Sequence, residues 1–304
     1  MIWLIIIVIA YFLNASATAI DKFLLSKKIN NPAVYAFFIS ALNILGLVLI
    51  PFGFHLISFW QIVAGIITGV VFTFSYLYMF KALGENEASR ITPFMGGLQP
   101  IFVFILAWIF LGESLGVWAI VAFLILVVGT IILSRQSGET AKQKKLSRQS
   151  YIYATIATIL FAIAYTASKY VYNHDGFITG FVWTRVGTFL GAMLLLLRPK
   201  NFKDIIGGWR EAPKHQTGLL FVFGQVAGAV SFVLVSYAIS ISQSVAIINA
   251  SRGLEYVFLL LILIVLSRKY PKVLSEKMTS KIILQKIIAV AFIIVGLIIL
   301  AFAV

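Results

Sequence analysis

The sequence predicts an all-α membrane protein with ten transmembrane helices arranged as two inverted five-helix repeats. Three observations carry this. Hydrophobic residues make up 61% of the chain, charged residues only 11%, and the mean hydropathy is +1.03. Ten apolar stretches run through the 304 residues, and the last five repeat the order and some residues of the first five. Five spans per half is an odd number, so the two halves would cross the bilayer in opposite orientations.

A helix needs roughly 20 mostly apolar residues to cross about 30 Å of hydrocarbon. Such stretches fall near 2–20, 32–54, 60–80, 89–111, 115–134, 151–172, 176–197, 217–240, 243–266 and 282–303. In the first, Ala15-Ser16-Ala17 resembles a small-residue cleavage site, but no Lys or Arg precedes it as a secretory signal requires. Residues 2–20 are therefore read as a retained first helix. Residues 135–150, polar and charge-rich, read as a basic linker between a first repeat over 1–134 and a second over 151–304.

The net charge of +14 is explained by where the charges lie. Loops after the first, third, fifth, seventh and ninth spans hold 21 of the 24 Lys and Arg. The opposite face holds only Lys169, while Arg185 and Arg252 lie inside spans. The basic-rich face is expected to be cytoplasmic, which places both termini outside the cytoplasm of a multi-pass protein in the cell (inner) membrane. Basic runs such as Lys142 to Lys145 then meet anionic lipid rather than nucleic acid. The chain has no Cys, and His55, His174 and His215 are widely separated, so neither a metal site nor a cofactor is expected.

The halves can be paired residue by residue. Leu13 to Ala17 faces Leu160 to Ala164, and Lys22 matches Lys169, at an offset of 147. At an offset of 156, Ser75 to Leu83 meets Ser231 to Ile239, and Gly97-Leu98-Gln99 meets Gly253-Leu254-Glu255.

Polar groups inside spans carry the candidate chemistry, because a charge at the bilayer centre costs about 3 kcal/mol or more. Arg185 and Arg252 each lie ten residues into their spans, and Glu255 follows Arg252 by three, on the same helical face. Two readings are open for this trio. The arginines hold a substrate carboxylate or phosphate through paired N–H donors; alternatively Arg252 and Glu255 neutralise each other, and Arg185 bonds backbone carbonyls.

Pro93, Gly96, Gly97 and Pro100 fall within eight residues of the fourth span and predict a kink or local opening there. Asn249, Ser251 and Gly253 stand in the matching place of the ninth, and interrupted helices in corresponding places point to a midplane site. Gln99 and Asn249 join the candidate substrate-binding residues, as do Asn14, Tyr165, Lys169 and Tyr76; Tyr78 and Tyr237 are further aromatic candidates. Asn14 with Thr18 could equally bond a neighbouring helix, and Lys169 could snorkel outward. Gly65 with Gly69, and Gly224 with Gly228, read as packing pairs.

Together these residues resemble the EamA-type transporters of the drug/metabolite transporter superfamily, over nearly the whole chain. The resemblance is carried by the five-plus-five layout, the run Ala88 through Pro100 into Ile101-Phe102, and Phe110-Leu111-Gly112-Glu113 before a short turn. Lys169 and Thr184-Arg185-Val186-Gly187, the latter similar to the family's arginine-bearing second-helix pattern, carry it in the second half. Ser40, Tyr256 and Ser267-Arg268-Lys269 depart from the family pattern. The resemblance implies traffic in amino acids, nucleosides, sugars or other small metabolites. It also implies cytoplasmic termini, against the charge count.

The sequence thus points to a secondary-active transporter of a small polar metabolite, anionic or zwitterionic such as an amino acid, working by alternating access. Protons are a candidate coupling ion, and no oligomeric state is indicated. A membrane-embedded enzyme would need a nucleophile and base or a metal set, which the spans do not offer; a lipid scramblase or flippase is the other alternative.

Overall fold

In hydrocarbon every backbone N–H and C=O must be satisfied within its own segment, so apolar stretches of this length become helices. The computed structural model describes residues 2–24, 31–85, 88–134, 148–209, 218–269 and 280–303. The described residues form helices α1 (Ile2–Leu24), α2 (Pro32–Leu42), a 3₁₀ helix (Asn43–Phe52), α3 (Phe59–Glu85), α4 (Ala88–Leu111), α5 (Val117–Ser134), α6 (Arg148–Asp175) and α7 (Phe177–Leu196). They continue with α8 (Pro199–Trp209), α9 (Gly218–Ile241), α10 (Val245–Ala250), α11 (Gly253–Lys269) and α12 (Ser280–Ala303). Among them nine segments are long and apolar enough to cross a membrane, and Val117–Leu133 is a shorter apolar helix. The chain is a multi-pass membrane protein.

Four features differ from the sequence reading. The second span changes at Asn43 from α-helix to ten residues of 3₁₀ helix, a geometry that rarely persists beyond three or four. The fourth span does not open: α4 is helical through Pro93, Gly96, Gly97 and Pro100. Each proline removes only one donor, and a neighbouring helix can hold the frame; α4 is packed against α5, α6 and α10.

The ninth span, which has no proline, is the one that breaks, at Ser251-Arg252 between α10 and α11. There Asn249 Nδ2 donates to Val245 O at 3.0 Å and Ser251 Oγ to Ile247 O at 2.9 Å. Such local bonds compete with the helical ladder, and the backbone turns tightly, with Leu254 N donating to Ser251 O and Glu255 N to Arg252 O, both at 3.0 Å.

The fourth difference is α8, absent from the sequence reading. It is a short amphipathic helix with Ile205 buried and Phe202 and Ile206 exposed. Asn31, which caps α2 through Ala33 N at 3.0 Å, also donates from Nδ2 to Asp204 Oδ2 of α8 at 2.9 Å. Most of the expected linker, 135–147, lies outside the described residues, as does the run Lys142 to Lys145; its last three residues begin α6. Ser150 ties that start to α3 through Ala82 O at 2.8 Å.

Helices of the two halves interleave. α3 packs along α6 and α7, α1 along α9 and α11, α4 along α6, and α5 along α12. Close approach requires small residues: Ala154, Ala157, Ala162 and Ala164 of α6 are fully buried. The tightest seam joins α3 to α7. A Cβ on Gly65 would come within 2.8 Å of Trp183 Cβ, one on Gly69 would overlap Thr184 O and Thr188 N, and one on Gly187 would overlap the Ile66 backbone. Thr73 Oγ1 donates to Thr188 O across the seam at 2.8 Å. Gly224 and Gly228 are looser, facing the Ile20 side chain and Ala17 Cβ of α1 at 2.9 and 3.6 Å.

Candidate functional site

Arg185 lies at the centre of α7 and is only 2% exposed. The approach of the second span is close enough that a Cβ on Gly46 would stand 2.7 Å from Arg185 Cγ. Asn43, at the junction where α-helix becomes 3₁₀, accepts a hydrogen bond on Oδ1 from Arg185 Nη1. The guanidinium carbon lies 4.5 Å from the ring centre of Phe232, 4.8 Å from that of Phe181 and 5.5 Å from that of Phe72. A cation over aromatic faces gains about 0.5–2 kcal/mol per contact, which offsets part of its desolvation. Nε and Nη2 are buried and have no hydrogen-bond partner among the described residues. They form one edge of the planar fork, the edge that grips a carboxylate through two parallel bonds.

Arg252 occupies the break between α10 and α11. Its Nε donates to Glu255 Oε2 at 3.2 Å, with the Arg252 side chain 36% and the Glu255 side chain 9% exposed. Tyr11, Tyr165 and Tyr256 are within electrostatic range of it. Tyr76 and Tyr165, two of the expected aromatics, lie within electrostatic range of both arginines. Tyr11 is anchored by donating to Ile248 O at 2.7 Å, which fixes α1 beside the break.

Gln99 and Asn249, expected separately, meet each other: Gln99 Nε2 donates to Asn249 Oδ1 at 2.9 Å in a buried bond between α4 and α10. Asn14 is half-buried on α1, one turn along from Tyr11. Gly96 and Gly97 serve packing, with Tyr256 Oη 3.0 Å from where a Gly96 Cβ would lie and Ile131 Cγ1 2.7 Å from a Gly97 Cβ. Tyr78 and Tyr237 belong elsewhere. Tyr78 holds Lys81 Nζ at 4.7 Å from its ring centre, and Tyr237 packs on Phe177 at 5.1 Å.

Lys169, expected in the substrate-binding set, is engaged by backbone carbonyls. Its ammonium donates to Ile239 O at 3.0 Å, Ser240 O at 3.2 Å and Ser242 O at 2.5 Å. Two of these carbonyls lie in the last turn of α9 and the third just beyond it, and a cation suits a helix C-terminus; all three ammonium protons are used. Beside it Glu113 accepts Val245 N at 3.1 Å and so caps α10. Burial pushes the Glu113 carboxyl above its ordinary value, while Ser244, the Val245 N–H and the Lys169 charge pull it back. We expect Lys169→Met to lower thermal stability, by about 1–3 kcal/mol for the stranded carbonyls, while ligand affinity at matched folded protein stays at the wild-type level. A fall in affinity without a fall in melting temperature would return Lys169 to the site.

Asn43, Tyr11 and the three phenylalanines around Arg185 were missed from sequence. Asn43 alone carried a signal, as a polar residue mid-span.

The first part of the chain has a counterpart among known proteins. Residues 1–135 match the EamA-like transporter family. Members of the EamA family are membrane transporters of the drug/metabolite transporter superfamily, not enzymes. No curated protein matches the chain significantly. Among solved structures 27 chains match. One crystal structure aligns over 99% of this chain and 97% of its own, with a TM-score of 0.68 and 16% identity. That likeness shows a shared fold along the full length.

Proposed function

We propose that the protein is a secondary-active transporter that binds a small anionic or zwitterionic metabolite at Arg185 and moves it by alternating access. The observation that carries this reading is the buried Nε/Nη2 edge of Arg185, without a partner among the described residues, in a membrane protein whose first 135 residues match a transporter family. Arg252, Glu255, Tyr76 and Tyr165 complete the site, Asn43 orients the arginine, and the turn at Ser251-Arg252 is its moving part. Gln99 and Asn249 hold α4 to α10 beside it, and Asn14 lines its approach along α1.

An inverted pair of repeats, 1–134 and 151–304, accounts for the packing. Exchanging first-half spans for their second-half counterparts converts the contact of α3 with α6 into that of α9 with α1, and that of α4 with α6 into that of α11 with α1. The seam between α3 and α7 has no equally close counterpart at α9, as expected of a carrier closed on one face and free to part on the other.

Arg185→Lys tests the site, because lysine keeps the charge and loses the planar fork. A metabolite panel should raise the melting temperature of the wild type by mass action, and the responding ligand should lose about tenfold or more in affinity in the variant. Equal affinity in Arg185→Lys at matched folded protein would remove Arg185 from binding.

The charge distribution supports an orientation with both termini outside the cytoplasm, in the cell (inner) membrane. A reporter fused after Val304 that is active only in the cytoplasm should stay silent. Strong signal there reverses the orientation.

A further inference from the structure

The charge balance around Arg185 narrows the cargo and the mode of transport. Glu255 is the sole acidic residue of the sequence placed well inside a span, and it is committed to Arg252 at 3.2 Å. Among the described residues Arg185 touches neutral groups, the Asn43 amide and the rings of Phe72, Phe181 and Phe232, and the phenols of Tyr76, Tyr165 and Tyr172 lie within electrostatic range. Among the described residues the site therefore holds one uncompensated positive charge, 2% exposed and walled by aromatic rings, with two donors unmet.

We propose that the carrier exchanges monoanions: it takes a singly charged carboxylate rather than a zwitterion, and it reorients readily only when loaded. The proposal rests on Arg185 being the substrate-binding residue. A monoanion brings the site to zero, whereas a zwitterion leaves the net positive charge as it was and a dianion overshoots. The same balance governs the empty carrier. To change faces without cargo it must pass through a closed state with a bare guanidinium in low dielectric, which is strongly unfavourable; the loaded form passes as a neutral pair. Return of the carrier is then faster when a second anion rides back.

Two matched pairs of probes separate charge from shape: pyruvate with alanine, and phenylpyruvate with phenylalanine. In each, the keto acid is a monoanion and the amino acid a zwitterion of similar body. Purified full-length protein is placed in liposomes with potassium and valinomycin on both sides, so that membrane voltage does not limit flux. Uptake of at least one labelled keto acid should be about tenfold or more faster into vesicles filled with the same keto acid than into vesicles filled with its amino acid. In Arg185→Gln, which removes the charge, that ratio should fall to about one.

Equal uptake into the two kinds of vesicle overturns the exchange mechanism. Faster exchange of a labelled amino acid than of its keto acid overturns the monoanion assignment, as does the absence of uptake of both keto acids. These outcomes leave the site reading standing if a panel ligand still loses affinity in Arg185→Lys. A trans-stimulation ratio that survives Arg185→Gln fails both.

Discussion

Gly69→Ala is expected to push α3 away from α7, lowering the melting temperature by several degrees and, in whatever folded protein remains, slowing transport sharply. The new methyl would overlap the Thr184 carbonyl oxygen and the Thr188 nitrogen, which are backbone atoms of a buried helix. A side chain in the way can change rotamer, but a helix backbone can only translate. Overpacking of this kind costs about 1–3 kcal/mol even where neighbours yield. Translation would also break the Thr73 to Thr188 bond across the seam and shift Arg185, one residue from Thr184, relative to Phe72 on α3. Gly228→Ala is the internal control: its Cβ would meet only Ala17 Cβ at 3.6 Å, ordinary contact, so melting temperature and flux should stay close to wild type. If both variants behave alike, the α3–α7 seam has no special role.

Glu255→Gln is expected to be the second severe change. It leaves Arg252 charged beside a neutral amide at the break in the ninth span. Removing one member of a buried pair strands the other; with Arg252 36% exposed solvent screening reduces the cost, to about 1–2 kcal/mol. Transport should suffer more, because the site then carries two positive charges where it carried one. Proton coupling is tested on the same variant. Because the carboxylate is engaged by Arg252, an imposed pH gradient should change proteoliposome flux in the same proportion for wild type and Glu255→Gln. A gradient response present in the wild type and lost in the variant would assign Glu255 to the coupling pathway.

Spans were legible in the sequence because a bilayer imposes one simple rule, about 20 apolar residues per crossing, and the structure places helices within a few residues of each predicted stretch. Arg185, Arg252 and Glu255 were legible for the complementary reason, that charge in hydrocarbon is costly. The phenylalanines around Arg185 were not, since in a chain with 26 of them a ring facing an arginine reads like a ring facing lipid.

The carbonyls around Lys169 were not legible, because a lysine near a helix end serves a cavity or a row of carbonyls equally well from sequence, and only the position of α9 brings them to it. The break was sought at Pro93 and Pro100, where the local signal is strongest. It formed at Ser251-Arg252, where polar side chains turn back on their own backbone.

The 3₁₀ segment of the second span sets a different rhythm on the membrane surface of the protein. With three residues per turn, side chains stack in straight files instead of drifting around the axis. One file, Leu42, Leu45 and Val48, is 55%, 68% and 70% exposed and meets lipid; another, Asn43, Gly46 and Leu49, is turned inward toward α7 and the core. Files tolerate no slippage. Deleting one residue of α2 ahead of Asn43 would rotate every file by about 100°, carrying the asparagine away from the arginine in a single step. The spacing between Pro32 and Asn43 is therefore under a stricter constraint than the identity of the apolar residues that fill it.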